Sequence, residues 1–332
     1  MSRIAGLRPR VGGLRPRAPG FVALGLGALA LVTFPYWSRD WESSRYATTV
    51  LRDILVFAIL ALSLDLLMGY VGLPSLGHAA FFGAGAYAAA IASQRLETEA
   101  LFVTLPAGVL VATLLALGIG VFAVRASGIF FLMLTLAFAQ MVFSFAFQAT
   151  DITGGSNGFA GVRRPELFGI SFSAAEELYV LVAVSFLATA FVLWRITRSP
   201  YGRTLVAIRE NERRMRALGY DTRAIKLSAF ALAGALAGLA GALSAYSLRF
   251  VSANDAGIGT SITVFVMVLI GGAGTLAGPA VGAAVVILIE RVLNSYIPFS
   301  QTVLGVVFVV FVLAARQGVV GAARTAWARA RG

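Results

Sequence analysis

Histidine, aspartate and lysine move protons, bind metals and grip phosphates, and this 332-residue sequence holds few of them in apolar surroundings. His78 is the only histidine, within "GYVGLPSLGHAAFFGAGAYAAA" (69–90). As a metal ligand it lacks company, because there is no second histidine and no cysteine. As a proton relay its nearest candidate partner is Asp65, within "LSLDLLMGY". The favoured reading is a neutral imidazole, hydrogen-bonded to a neighbour and supporting a break in the chain. Asp65 is read either as a functional carboxylate facing a partner or water, or as a hydrogen-bonded packing anchor. Gln140, Ser144 and Gln148, four residues apart, form a polar stripe that lines a pathway or bonds adjacent helices. Phosphate chemistry needs a glycine-rich turn ending in Lys and Ser or Thr. The only lysine is Lys226, between Ile225 and Leu227, and the loop-like "GGAGTLAG" (271–278) lacks one, so no such ATPase site is encoded. One histidine and no nucleophile elbow also argue against a hydrolytic triad.

The elements that carry these residues are set by composition. Hydrophobic residues make up 59% and charged residues 13%, about half the charge of an ordinary soluble domain. Apolar runs long enough to cross a ~30 Å hydrocarbon core recur along the chain. The pattern predicts an all-α, polytopic transmembrane bundle of about 8–10 spans, some glycine-broken or re-entrant. Ten candidate spans are 21–36, 51–70, 74–93, 101–124, 127–148, 178–196, 227–248, 261–276, 279–293 and 299–315. The net charge of +12 does not signal nucleic acid, because the arginines gather at span ends. Counting from an inside N-terminus puts 19 of the 27 basic residues on cytoplasmic segments, which orients both termini inward. The expected organisation is an arginine-rich cytoplasmic tail (1–20), a permease domain (21–315) and a basic cytoplasmic tail (316–332). The first apolar stretch lacks a small-residue cleavage site and reads as an uncleaved signal anchor.

Two loops differ in kind. Segment 149–177 is polar and glycine-rich and lies outside the cell by this orientation. Segment 195–226 lies inside, holds nine basic residues and is expected to be helical. Leu205, Ile208, Met215 and Leu218 share one arc of such a helix, Tyr201-Gly202 precedes them, and Gly219 supplies the stop. Its acids, Glu210 and Glu212, flank Asn211 and favour docking to a protein over simple adhesion to anionic lipid. Gly234 and Gly238 form one close-packing pair, and Gly274, Gly278 and Gly282 form a second line. Pro279 beside that line is expected to free a backbone carbonyl within the membrane. The "GLPSLG" stretch (72–77) is expected to interrupt a crossing beside a solute route.

Five ordered stretches carry a family resemblance: "ALSLDLLMGYVGLPSLGHAAFFGAGAYAAA" (61–90), "RASGIFFLMLTLAFAQM" (125–141), "TGGSNGFAGV" (153–162), "SPYGRTLVAIRENERRMRALGY" (199–220) and "MVLIGGAGTLAGPAVGA" (267–283). From about residue 48 to 315 the chain resembles the LivM/LivH-type permeases of branched-chain amino acid ABC importers, and the second and third stretches favour the LivM side. The resemblance implies a chain with no cofactor of its own in the bacterial inner membrane. It pairs with a second, LivH-like permease, rests on two ABC ATPase subunits that bind ATP-Mg, and receives solute from an extracytoplasmic binding protein. It implies a solute pathway near Asp65, Ser75, His78, Gln140, Ser144, Thr153, Gly154, Gly155, Ser156 and Asn157. It makes Tyr201, Gly202, Arg203, Arg209, Glu210, Asn211, Glu212 and Gly219 the ATPase-coupling segment. Leu73 stands where the family usually has Gln, and Asp65 where it usually has Asn, so the solute itself stays open. The alternatives are a urea or short-amide ABC permease and, from another class, an autonomous proton-coupled transporter or channel.

Overall fold

The computed structural model describes residues 18–37, 44–167, 169–296 and 305. The C-terminal tail, span 299–315 apart from residue 305, and nearly all of the N-terminal tail lie outside the described residues. Among the described residues, eleven α-helices run in chain order: α1 (Ala18–Trp37), α2 (Ser44–Asp65), α3 (His78–Arg95), α4 (Leu101–Ala123), α5 (Ile129–Gln148), the single turn α6 (Thr150–Thr153), α7 (Ala175–Arg198), α8 (Pro200–Ala217), α9 (Thr222–Leu248), α10 (Ile258–Gly271) and α11 (Gly278–Tyr296). Two small antiparallel ribbons decorate one end. In them β1 (Phe159–Ala160) pairs with β4 (Phe250–Val251), and β2 (Glu166–Leu167) with β3 (Ile170–Ser171).

The chain is a helical membrane bundle. Among the described residues, five helical segments are long and apolar enough to cross a membrane: Arg45–Val71, Leu101–Ala123, Ile129–Gln148, Ala175–Arg198 and Thr222–Leu248. The glycine-broken stretches form the shorter helices, as their composition anticipates. The first of the five is the centre of the molecule, enclosed by α7, α9, α10 and α11, while α4, α5 and α7 turn most of their apolar surface outward.

Small residues set the packing. A Cβ on Gly85 would strike the Gly238 backbone, one on Gly234 would strike Ala116, and one on Gly241 would strike the Phe82 carbonyl. Helices α3, α4 and α9 therefore meet backbone to backbone, which suits a solvent in which lipid tails are as apolar as leucine. The expected line at Gly274, Gly278 and Gly282 is not one helix face, because α10 ends at Gly271 and α11 starts at Gly278. Gly278 and Gly282 press α11 onto α10, whereas Gly274 lies in the connection with φ of 77°. Pro279 likewise starts α11 and does not kink it; at a helix start its missing N–H costs nothing.

Candidate functional site

The central crossing does not end cleanly. After Asp65 the backbone widens into a π-helical turn, Leu66–Val71, and stops at Gly72, whose φ of 79° is a conformation other residues rarely adopt. The Leu73 N–H closes the turn on the Leu67 carbonyl at 2.9 Å. Such turns inside α-helices gather at functional positions. Residues 72–77 are non-helical, and α3 resumes at His78. Polar side chains satisfy the freed backbone: Ser75 Oγ accepts from Gly77 N–H at 3.2 Å, and Ser261 Oγ from Ala79 N–H at 3.1 Å. Ser75, His78 and Ser261 are completely buried. Leu73 is buried too, and its side chain contributes packing while its N–H closes the turn.

His78 Nε2 lies 2.7 Å from Ser63 Oγ, which donates to the Leu60 carbonyl at 2.6 Å. The serine has one proton, so with that proton on Leu60 the imidazole is the Nε2–H tautomer and donates to Ser63. Its edge meets the Phe81 ring at 5.7 Å between centroids. Asp65 is held elsewhere. Its Oδ1 accepts from Gly274 N–H at 2.7 Å, across 209 positions of sequence. Different partners hold the two groups, and no direct hydrogen bond between them forms a relay.

A third strand of chain reaches this junction from α8. The Arg209 guanidinium donates to the carbonyl of Gly69, inside the π turn. Gly72 lies under the same side chain, where a Cβ would come within 2.6 Å of Arg209 Cγ. Gly69 is pressed between Asp65 and the Gly274 backbone, leaving no room for a side chain. The interrupted crossing, the α10–α11 connection and the charged loop thus converge on a few backbone atoms.

Local chemistry shapes α8. Ser199 Oγ caps it by accepting from Gly202 N–H at 3.3 Å, and Pro200 occupies its first position. Gly202 turns tightly against α7, where a Cβ would come within 2.6 Å of Thr197 Cα. Tyr201 bridges to Ser228 Oγ at 2.7 Å. Leu205, Ile208 and Met215 are buried, as the arc predicts, but Leu218 is 65% exposed. Within α8 the backbone breaks at Asn211 (φ −158°, ψ 90°), whose Oδ1 accepts from Arg214 N–H at 3.0 Å and recaps the segment. Met215 stays buried beyond that break, whereas Leu218 lies just past the end of α8 and turns outward.

Glu212 faces inward. It receives Lys226 Nζ at 2.6 Å, Arg216 at 2.6 Å and the Thr222 hydroxyl at 3.1 Å. Burial alone would raise this carboxyl, but the bonds from Lys226 and Arg216 outweigh it and hold the group below the ordinary glutamate range. The sole lysine is therefore consumed by an internal ion pair. Arg203, Arg209, Glu210, Asn211, Arg213 and Gly219 remain on the exposed side.

At the other end of the bundle, Thr153 is buried with its hydroxyl 2.6 Å from the Ala146 carbonyl. Gly154 and Gly155 have φ of 76° and 60° and fold the loop back, leaving Ser156 and Asn157 exposed. Gln140 and Gln148 are exposed on α5, with Ser144 accepting from Gln148 at 2.8 Å. The stripe thus points out of this chain, not into its core. The sequence-predicted residues fall into three groups: the junction (Asp65, Ser75, His78), the α8 segment, and the α5 stripe with its loop. Sequence reasoning missed Ser63 and Gly274, the two direct partners. The sequence does not single out Ser63, and Gly274 reads there as a close-packing residue, not as the Asp65 donor.

Residues 46–315 match the family described as the branched-chain amino acid transport system / permease component. The chain belongs to that family. It is 29% identical over 298 residues to the high-affinity branched-chain amino acid transport system permease protein LivM of Escherichia coli K12, covering 83% of this chain and 70% of that protein. It is 26% identical over 290 residues to a probable LivM of Methanocaldococcus jannaschii, covering 76% and 83%. A shorter likeness, 32% over 135 residues, relates 39% of the chain to 37% of the autoinducer 2 import system permease protein LsrC of Escherichia coli O9:H4. No solved structure matches the chain. The chain is a multi-pass membrane protein, the membrane subunit of a transporter.

Proposed function

We propose that this chain is half of the transmembrane pathway of an ABC importer for branched-chain or related hydrophobic amino acids. It sits in the bacterial inner membrane with both termini inside. A second, LivH-like permease completes the pathway, two separate ATPase subunits hold ATP-Mg, and an extracytoplasmic binding protein delivers solute. One observation carries this reading: the charged α8 segment reaches the interrupted crossing through Arg209 and the Gly69 carbonyl. A segment that docks an ATPase needs such a link, because motion at the docking face must reach the solute route. The exposed cations and Glu210 on α8 suit an external protein surface, while Glu212 and Lys226 brace the segment from within. The outward stripe at Gln140 and Ser144 suits a pathway walled on its far side by the second permease.

The test is uptake in proteoliposomes. The four-component assembly with its binding protein takes up leucine only with ATP, and this chain alone takes up none. Arg209→Ala leaves insertion and assembly intact but lowers uptake about tenfold, because a charge-assisted hydrogen bond is worth about 1.5–3 kcal/mol. Uptake by the isolated chain, or nucleotide turnover in it, would overturn the reading. Asp65→Asn separates this reading from proton-coupled transport: it leaves ATP-driven uptake in place but would abolish uptake that needs an ionisable group there.

A further inference from the structure

One large cavity lies apart from the junction of Asp65, His78 and Arg209, although Thr153 borders it. It has a volume of ≈ 960 Å³ and lies between α3, α4 and α5. Ile91, Val111, Leu114, Gly118, Met141 and Phe145 form its walls, and the lining is almost wholly apolar. It is open to the surroundings along membrane-crossing helices, with Leu114, Met141 and Phe145 each well over half exposed. On α4 its lining runs from Ala107 to Phe122, about 22 Å at 1.5 Å per residue. One leaflet of a bilayer is about 15 Å of hydrocarbon, so the groove accommodates a whole acyl chain.

Its mouth is not apolar. Arg95, at the C-terminal end of α3, lines the cavity, is exposed, and forms no ion pair among the described residues. A cation at the headgroup level above an acyl-sized channel complements a phosphate attached to that chain. Gly118 leaves room along the groove, since a Cβ placed on it would meet no atom within 4 Å. We propose that this groove is a phospholipid site: one acyl chain lies between α4 and α5 and the phosphate sits on Arg95. Because lipid tails are as apolar as the walls, retention rests on close packing and on the arginine, not on a hydrophobic force.

The test uses the full chain in phosphatidylethanolamine–phosphatidylglycerol vesicles with a tracer phosphatidylethanolamine bearing a diazirine in its acyl chain. The chain is purified in detergent, irradiated, and its labelled peptides are mapped by mass spectrometry. The expected label concentrates on the α4 and α5 walls over the outward face of α7 at Val184. It falls about fivefold or more in Gly118→Leu, which fills the groove, and in Arg95→Gln, which removes the cation. Val111→Trp, filling the groove two turns earlier on α4, has the same effect if Gly118→Leu inserts poorly. Label spread evenly over α4, α5 and α7, or unchanged in the filled variants, overturns the proposal. So does a cysteine at position 118, unique in this cysteine-free chain, that cross-links to a second permease in the assembly. Labelling needs no ATPase and no transport, so failure of the importer reading leaves this result standing.

Discussion

At the scale of single residues, the junction depends on atoms that have no side chain to lose. Gly69 is hemmed in by Asp65 and the Gly274 backbone. Gly69→Ala should therefore cost about 1–3 kcal/mol through overpacking, read as a lower unfolding midpoint of the purified chain. Gly118→Ala, facing open space, should leave the midpoint unchanged or slightly raised. Asp65 acts here as an acceptor for a backbone N–H, and an asparagine keeps an oxygen at that position. Asp65→Asn should fold nearly as well as the parent, whereas Asp65→Leu strands the Gly274 N–H and should cost about 1–3 kcal/mol. If both variants unfold alike, the carboxylate has a role beyond this bond. Glu212 adds a pH dependence. Its carboxyl is held below its unfolded value, so its stabilisation is complete above the ordinary glutamate range and is lost as pH falls through the folded value. Melting curves of the parent should approach those of Glu212→Gln on acidification and lie above them at neutral pH. Equal midpoints at neutral pH would show that the Lys226 pair contributes nothing.

At the scale of elements, hydropathy carried most of the architecture. The runs 101–124, 127–148 and 178–196 correspond to α4, α5 and α7 within a few residues. Membranes impose a long, uniform signal, because every backbone group must be paired within its own helix. The break at 72–77 was legible for a related reason: two glycines, a proline and a serine in six residues oppose helix. The π turn just before it was not legible. Nothing in "LLMGYV" announces it; the turn is held by bonds from Arg209 and by packing against Gly274, both distant in sequence. The break at Asn211 escaped for the opposite reason. It is local, but an asparagine that recaps a helix has the same composition as one that merely decorates it. The α8 arc predicted Leu205, Ile208 and Met215 correctly but extended one residue past the helix end to Leu218, which is exposed. The element-level prediction concerns Gly202, which lets α8 turn off α7. Gly202→Leu collides with the last turn of α7 and should abolish stimulated ATPase activity in the assembly while leaving membrane insertion intact. Normal hydrolysis by that variant would remove α8 from the coupling role.

At the scale of the whole molecule, the junction lies toward one end of the bundle and the glycine loop at 153–158 toward the other, so sidedness is directly measurable. The chain has no cysteine, and single cysteines at Arg213 and Asn157, both exposed, report on opposite faces. The basic-residue distribution predicts that a membrane-impermeant maleimide added to intact cells labels position 157 and spares 213. Labelling of 213 from outside would invert the molecule and place the charged loop beyond reach of any cytoplasmic motor. The outward apolar faces of α4, α5 and α7 also fit a subunit that is one part of a larger body, since lipid or a partner covers them without penalty.

The receiving end of the Arg209 contact is a main-chain carbonyl, and that has a consequence for how such subunits diversify. A peptide oxygen is present whatever the residue, so on the proposed importer reading the input through Arg209 persists while neighbouring side chains drift. Leu73 and Asp65 adjoin this contact without supplying its acceptor, which is the Gly69 carbonyl. On that reading, new solute preferences can be built into the break without redesigning how force arrives there.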